Sequence, residues 1–359
     1  MAEEDHKLRI FHGPENICGI GGFLADWQRE NKGVNSDFIV YQDNSTFQNS
    51  HFNLQIEKDG FCRKIFRQFS FFLRSLREYD IFNFYFGKTL LPFNIDLPFL
   101  KLAGKKILMI YVGSDIRLTK LEIERNPYYF LRKTIEKKFS PPDWLKILRM
   151  KWQNLWCDKC IAPRGLLLHA KKGFPEKKII DDLWITNTIR VPKEKPDFYP
   201  NKIPMIVHAP SNPERKGTNY LQSALDELKS EGYQFDFRIF NEISHEELLY
   251  FVRDKADIVV DQLISGDFGS FTMEGLSMGK PVCSYVMDEI RENLPGLPVI
   301  QTTIETIKEK LAWLIDNPQE RVQIGIKGWE YAKEHFDENM VNSRLWELYD
   351  QILDRDTKK

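Results

Sequence analysis

The chain has 359 residues, enough for two α/β domains with separate cores, and its formal net charge of −1 excludes a globally basic nucleic-acid binder. Five cysteines, odd in number and scattered, argue against a disulfide framework and suit a reduced, cytoplasmic protein. No stretch of about 18 apolar residues occurs, and the polar start Met-Ala-Glu-Glu-Asp-His-Lys carries no visible secretory signal.

The first expected strand, 8–11, runs into Gly13-Pro14 and then Gly19-Ile20-Gly21-Gly22 before a helix through Leu24 and Trp27. A strand at 38–41 follows. Residues 61–76 read as a helix with Phe61, Ile65, Phe66, Phe69, Phe72, Leu73 and Leu76 on one face and Arg63, Lys64, Arg67, Arg74 and Arg77 on the other. Apolar runs at 80–86 and 106–112 read as buried strands of a parallel sheet, the second leading into Gly113-Ser114-Asp115-Ile116-Arg117. From 127 to 156 the chain is basic and rich in tryptophan, and a further strand is expected at 159–162. Cys157 and Cys160 flank that point as a lone pair, without the second pair or the histidines a structural zinc would need.

Charge is unevenly spread. Between Phe61 and Trp152 there are nineteen Lys and Arg against eight Asp and Glu, which leaves the remainder acidic and points to an anionic partner for this stretch. Three prolines between 190 and 201 mark a linker. Beyond it come a strand at 205–208, a helix at 221–228, a strand at 235–240 and a capped helix start at Ser244-His245-Glu246-Glu247. The chain ends in helical sequence from 305 to 353.

The most informative segment is 257–286. It reads as a buried strand, a loop bracketed by Gly266 and Gly269, a helix from Ser270 stopped by Gly279 and Pro281, and a second buried strand. The free amides of Gly269, Ser270 and Phe271 at that helix start, with the positive end of its dipole, form a site for a phosphate or diphosphate. Glu274 lies about 6 Å further along the helix at 1.5 Å per residue, about one diphosphate-to-ribose step away. The alternative for Glu274 is an ordinary surface glutamate.

Phe268-Gly269, Glu274 and Gly279-Lys280-Pro281-Val282 resemble the donor-binding signature of the retaining glycosyltransferases of GT-B fold, family four. The resemblance implies an α/β protein of two Rossmann-like doubly wound domains facing a central cleft. These would be an acceptor-side domain at 1–192, a nucleotide-sugar-binding domain at 203–335 and a last helix at 336–359 crossing back to the first. It implies donor contacts from Gly21, Gly22, Ser211, Arg215, Lys216, Phe268, Gly269, Ser270, Phe271 and Glu274. Ser211 stands where the family has arginine, with Lys216 at the lysine position and Arg215 as a neighbouring fork. The glutamate expected eight residues before Glu274 is replaced by Gly266, leaving Asp267 as the nearby carboxylate. The family's histidine after the fourth strand is also missing, and there Asp115 and Arg117 could orient sugar or phosphate, unless Ser114 or Asp115 merely caps a helix.

The implied activity is metal-independent glycosyl transfer, without a cofactor, from a nucleotide-diphosphate sugar to a bacterial-type glycan or lipid-linked glycan in polysaccharide biosynthesis. The cation-and-aromatic mix of the basic half suits an anionic membrane surface and a peripheral cytoplasmic location, and no nucleic-acid-binding fold accompanies the charge. A non-catalytic nucleotide-sugar binder, or an epimerase or hydrolase on the same fold, is the alternative. If the site is built for ligand, Lys216→Ala and Glu274→Ala should leave the melting point of the unliganded protein nearly unchanged.

Overall fold

A computed structural model describes residues 7–43, 49–131, 141–185, 191–196, 201–241, 243–267 and 269–354. They fall into two compact units, one drawn from Met1–Thr119, Pro141–Thr186 and Val341–Lys359 and the other from Lys120–Ser140 and Asn187–Met340.

The first unit carries seven parallel strands: β1 (Arg9–Gly13), β2 (Asn35–Val40), β3 (Phe52–Asn53), β4 (Ile81–Tyr85), β5 (Lys106–Ile110), β6 (Lys159–Ile161) and β7 (Ile179–Ile180). Their order is β3-β2-β1-β4-β5-β6-β7, so the direction of strand addition reverses between β1 and β4. Helices on both faces explain why β4 is buried along its whole length and reads as an unbroken apolar run. α1 (Ile20–Lys32) closes at Gly33, whose left-handed φ of 62° suits glycine.

α2 (Phe61–Glu78) leaves much of its apolar face uncovered. Its buried residues are Gln68, Phe72 and Ser75. Phe61 and Phe66 on the expected apolar face are instead 80% and 70% exposed. α3 (Leu97–Leu102) and α5 (Asp143–Trp156), which flank the short α4 (Thr119–Arg125) in sequence, also leave Leu102, Trp144 and Leu148 exposed.

The second unit holds β8 (Met205–His208), β9 (Asp236–Ile239), β10 (Ile258–Val260), β11 (Val282–Ser284) and β12 (Ile300–Gln301), all parallel, in the order β12-β11-β10-β8-β9. Its switch point lies between β8 and β10. Its longer helices are α6 (Thr218–Ser230), α7 (His245–Lys255), α8 (Ser270–Ser277), α9 (Ile307–Asp316) and α10 (Pro318–His335). The apolar stripes of α6 (Leu221, Leu225, Leu228) and α9 (Leu311, Leu314) close over Ile206, Ile258 and Val260 in one core cluster.

Two features differ from a simple division at the linker. Residues 120–131 group with the second unit, because Asn126 Nδ2 donates to Ile264 O at 2.9 Å and Tyr128 OH to Glu305 Oε2 at 2.6 Å. The last helix, α11 (Glu338–Ile352), belongs from Val341 on to the first unit, where buried Tyr349 accepts from Gln28 Nε2 at 3.3 Å.

Candidate functional site

In open α/β sheets, ligands bind outside the carboxyl ends of the strands where strand order reverses. For the second unit that places a site at the loops following β8 and β10. His208, the last residue of β8, is buried and braces this corner, with Nδ1 2.8 Å from Val260 O and Nε2 2.8 Å from Thr218 Oγ1. Burial pushes its pKa down to about 4, so the ring is a neutral strut.

The loop after β8 is fixed by Asn212, whose side chain accepts from Arg215 N at 2.9 Å, and by Gly217 in the left-handed region at φ 81°. This delivers Lys216 to the end of β10, where its ammonium pairs with Asp261. Asp261 is buried and also accepts from Thr272 Oγ1 at 2.6 Å and Gly269 N at 3.3 Å. Burial alone would raise its pKa. The Lys216 charge and the three hydrogen bonds outweigh that and hold it below the usual carboxylate value.

Gly269 is the N-cap of α8, and Lys216 Nζ lies 3.6 Å from where a Cβ on it would stand. Lysine, a helix N-terminus and the ends of two central strands therefore converge. The arrangement corrects one expectation: part of the positive charge already answers a carboxylate of the chain itself. Asp261 takes one ammonium proton and the Gly269 amide, so Lys216 is structural as well as available, and its removal should destabilise the protein without ligand.

Glu274 lies on the second turn of α8, mostly buried, with Oε1 2.8 Å from His245 Nε2 at the start of α7. The hydrogen bond to Glu274 raises the His245 pKa against the opposing effect of burial. A capping box formed by Ser244 and Glu247 holds that helix start in place. α8 is set by close packing: a Cβ on Gly275 would come within 2.8 Å of Val282 Cγ2, and one on Gly328 of α10 within 3.1 Å of Leu276 Cδ2.

The remaining expected residues divide. Ser270 and Phe271 open α8 beside Lys216, Ser211 follows β8, Arg215 lies in the single helical turn Pro213–Lys216, and Phe268 lies outside the described residues. Gly266 has φ 74°, and a Cβ there would approach Met287 Cγ to 2.9 Å and Asn126 Nδ2 to 3.1 Å, so this backbone does not accommodate the family's glutamate. Asp267 is half-buried, and its carbonyl accepts from Gln262 Nε2.

In the first unit, Gly21 and Gly22 are buried, and a Cβ on either would run into the Phe38 ring or Asn49. Their smallness serves the packing of α1 rather than an approach to phosphate. Asp115 is likewise a brace and not a free carboxylate. It is buried and accepts from Gly113 N at 2.8 Å, and burial raises its pKa. Arg117 is half-buried beside Gly113. Cys157 and Cys160 are buried thiols whose pKa burial pushes up. Among the described residues no group of three or more His, Cys, Asp or Glu could hold a metal ion.

No family model matches the chain, and no curated protein matches it in sequence. Solved structures do match its fold. HepE of Anabaena in complex with UDP-glucose superposes with a TM-score of 0.63 at 13% identity, covering 96% of this chain and 100% of that one. Sucrose-phosphate synthase of Thermosynechococcus elongatus gives 0.65 at 13% identity, covering 98% and 100%. The fold is GT-B. WaaG, a glycosyltransferase of lipopolysaccharide biosynthesis, also shares this GT-B fold at a TM-score of 0.58 and 10% identity, covering 94% of this chain and 98% of its own. Asp261, Thr272 and His245 escaped the reading of the sequence. Their roles depend on partners 45, 11 and 29 residues away, and only the capping box beside His245 left a local signal.

Proposed function

We propose that the protein is a glycosyltransferase that takes its sugar from a nucleotide-diphosphate donor bound by the second unit. The observation that carries this reading is the placement of Lys216 and the α8 N-terminus at the β8–β10 switch point, with Glu274 one turn further along. The diphosphate would lie against the Ser270 and Phe271 amides and the outward protons of Lys216, whose inner proton is held by Asp261. Glu274 would accept the ribose hydroxyls, steadied by His245. That HepE, of the same fold, is found with UDP-glucose supports a nucleotide sugar as the ligand class.

As the bond from anomeric carbon to β-phosphate oxygen breaks, negative charge grows on the departing diphosphate, and the lysine and helix dipole stabilise it more than they stabilise the ground state. An acceptor hydroxyl adds to the carbon, and its proton passes to the departing phosphate, giving a retained configuration. Since Lys216 and the amides supply the positive charge, this chemistry needs no metal. The acceptor would be a glycan or lipid-linked glycan, met from the cytoplasmic side at an anionic membrane surface through the exposed aromatic and cationic side chains of α2 and α5.

A second reading, a nucleotide-sugar binder without transfer, is favoured by Gly266 standing where the family has a carboxylate. Incubating the purified protein with a panel of nucleotide sugars and measuring released nucleoside diphosphate separates the two. Slow release that Glu274→Gln abolishes supports transfer chemistry, and tight binding without release supports the binder.

A further inference from the structure

The first unit has its own switch point, between β1 and β4, and there the chain leaves a groove of about 820 Å³. Pro14 and Glu15 follow β1 at its rim, and Gly87 and Lys88 follow β4. The rule that places a ligand at the carboxyl ends of strands therefore applies a second time. Its walls are apolar, with Ile65 from α2, Leu91 from the loop after β4, and Leu145, Leu148 and Trp152 from α5. A volume of this size is in the range of small-molecule sites.

Charge distinguishes it from a gap in packing. Four cations line the groove, Lys64, Lys88, Lys146 and Arg149, against two carboxylates, Glu57 and Glu15, which pair with Lys64 at 2.5 Å and Lys88 at 2.8 Å. Lys146 Nζ donates to Arg117 O at 2.7 Å, and Arg149 donates to the Asp115 carbonyl while its Nε is buried without a partner. Phe61, 80% exposed, and Phe93, 92% exposed, lie at the rim, as apolar side chains do where a surface meets lipid.

We propose that this groove holds the hydrocarbon chain of a phosphate-bearing lipid drawn from a membrane, with the phosphate beside Arg149 and Lys146. Resting on the transfer reading above, the groove would make that lipid the carrier of the acceptor. The chain gains by burying its methylenes away from water, and the cations select a phosphate over a neutral head.

The test is calorimetric titration of the full chain with dodecyl phosphate below its micelle concentration, beside dodecyl maltoside and inorganic phosphate. Dodecyl phosphate should bind at least tenfold tighter than either comparator. Leu148→Glu, at a 57% exposed position that should fold normally, should weaken it by tenfold or more. Arg149→Gln should erase the preference for the phosphate head. Absence of dodecyl phosphate binding, or equal binding by Leu148→Glu, overturns the proposal. So does binding to phosphatidylglycerol vesicles without any binding of the free amphiphile, which would mark a surface patch and not a chain site. UDP titrated into the same samples reads the donor site separately: if UDP fails to bind while dodecyl phosphate binds, the transfer reading falls and the groove stands.

Discussion

Lys216→Ala is the perturbation that probes the phosphate corner most sharply. Asp261 is buried, and without the lysine it keeps, among the described residues, only Thr272 Oγ1 and Gly269 N as donors. Removing one partner of a buried ion pair costs about 3–5 kcal/mol, because the remaining charge stays desolvated. At about 2–4 °C per kcal/mol for a unit of this size, the melting point should fall by roughly 6–20 °C. Lys216→Met with Asp261→Asn removes both charges while the amide oxygen that replaces the carboxylate can still accept from Thr272 and Gly269, so the double variant should lose about 1 kcal/mol or less. The pair also sets a pH signature. In the wild type the Asp261 pKa is depressed, so its stabilisation is present above the unfolded carboxylate value and is lost only as pH falls through the lower folded value. In Lys216→Ala that pKa climbs, and the destabilisation should shrink as pH drops from 7 toward 5. Thermal melts of the three proteins at both pH values are the assay. A Lys216→Ala protein that melts with the wild type at pH 7 would refute the pairing and the reasoning built on it.

His12 and His208 have pKa values pushed down to about 4 by burial, from 6.5 when unfolded, so the unfolded chain binds protons first and stability should drain away as pH falls from about 6.5 toward 4. Each contributes a loss on the order of 3 kcal/mol, and His12→Gln should flatten the slope of melting point against pH. Gly266→Glu should cost about 1–3 kcal/mol and fail to raise nucleoside diphosphate release, because φ 74° and the nearby Met287 leave no place for the side chain. His245→Ala should weaken nucleotide binding several-fold while Glu274 is retained. Because the folded His245 pKa is raised, its bond to Glu274 stabilises below the unfolded value and is lost as pH rises through the folded one, which melts of the wild type and His245→Ala at pH 6 and 8 would reveal.

The two sheets are legible in the sequence where both faces are covered, since strands such as Ile81–Tyr85 and Ile258–Val260 read as plain apolar runs. The start of β2 is not, because Asn35, Ser36 and Asp37 are polar and join the sheet only through register with Arg9, Ile10 and Phe11. β3, β7 and β12, at two residues each, are too short to show a period. The helix start and Glu274 could be inferred because glycine, capping and apolar run follow one another locally. Asp261 could not, as it sits at the end of an apolar strand and acquires its meaning only from Lys216, which the fold carries to it. The exposed face of α2 was ambiguous for a related reason: periodicity states that a helix has an apolar side and is silent on what covers it.

The proposed donor site is the corner formed by Lys216, Glu274 and the first turn of α8. Titrating UDP, GDP and ADP calorimetrically into the wild type and Glu274→Gln at pH 7.5 tests it most directly. One of the three should bind the wild type, and Glu274→Gln should weaken it tenfold or more while melting within a few degrees of the wild type. No binding by any nucleotide, or equal affinity in the variant, would contradict the assignment.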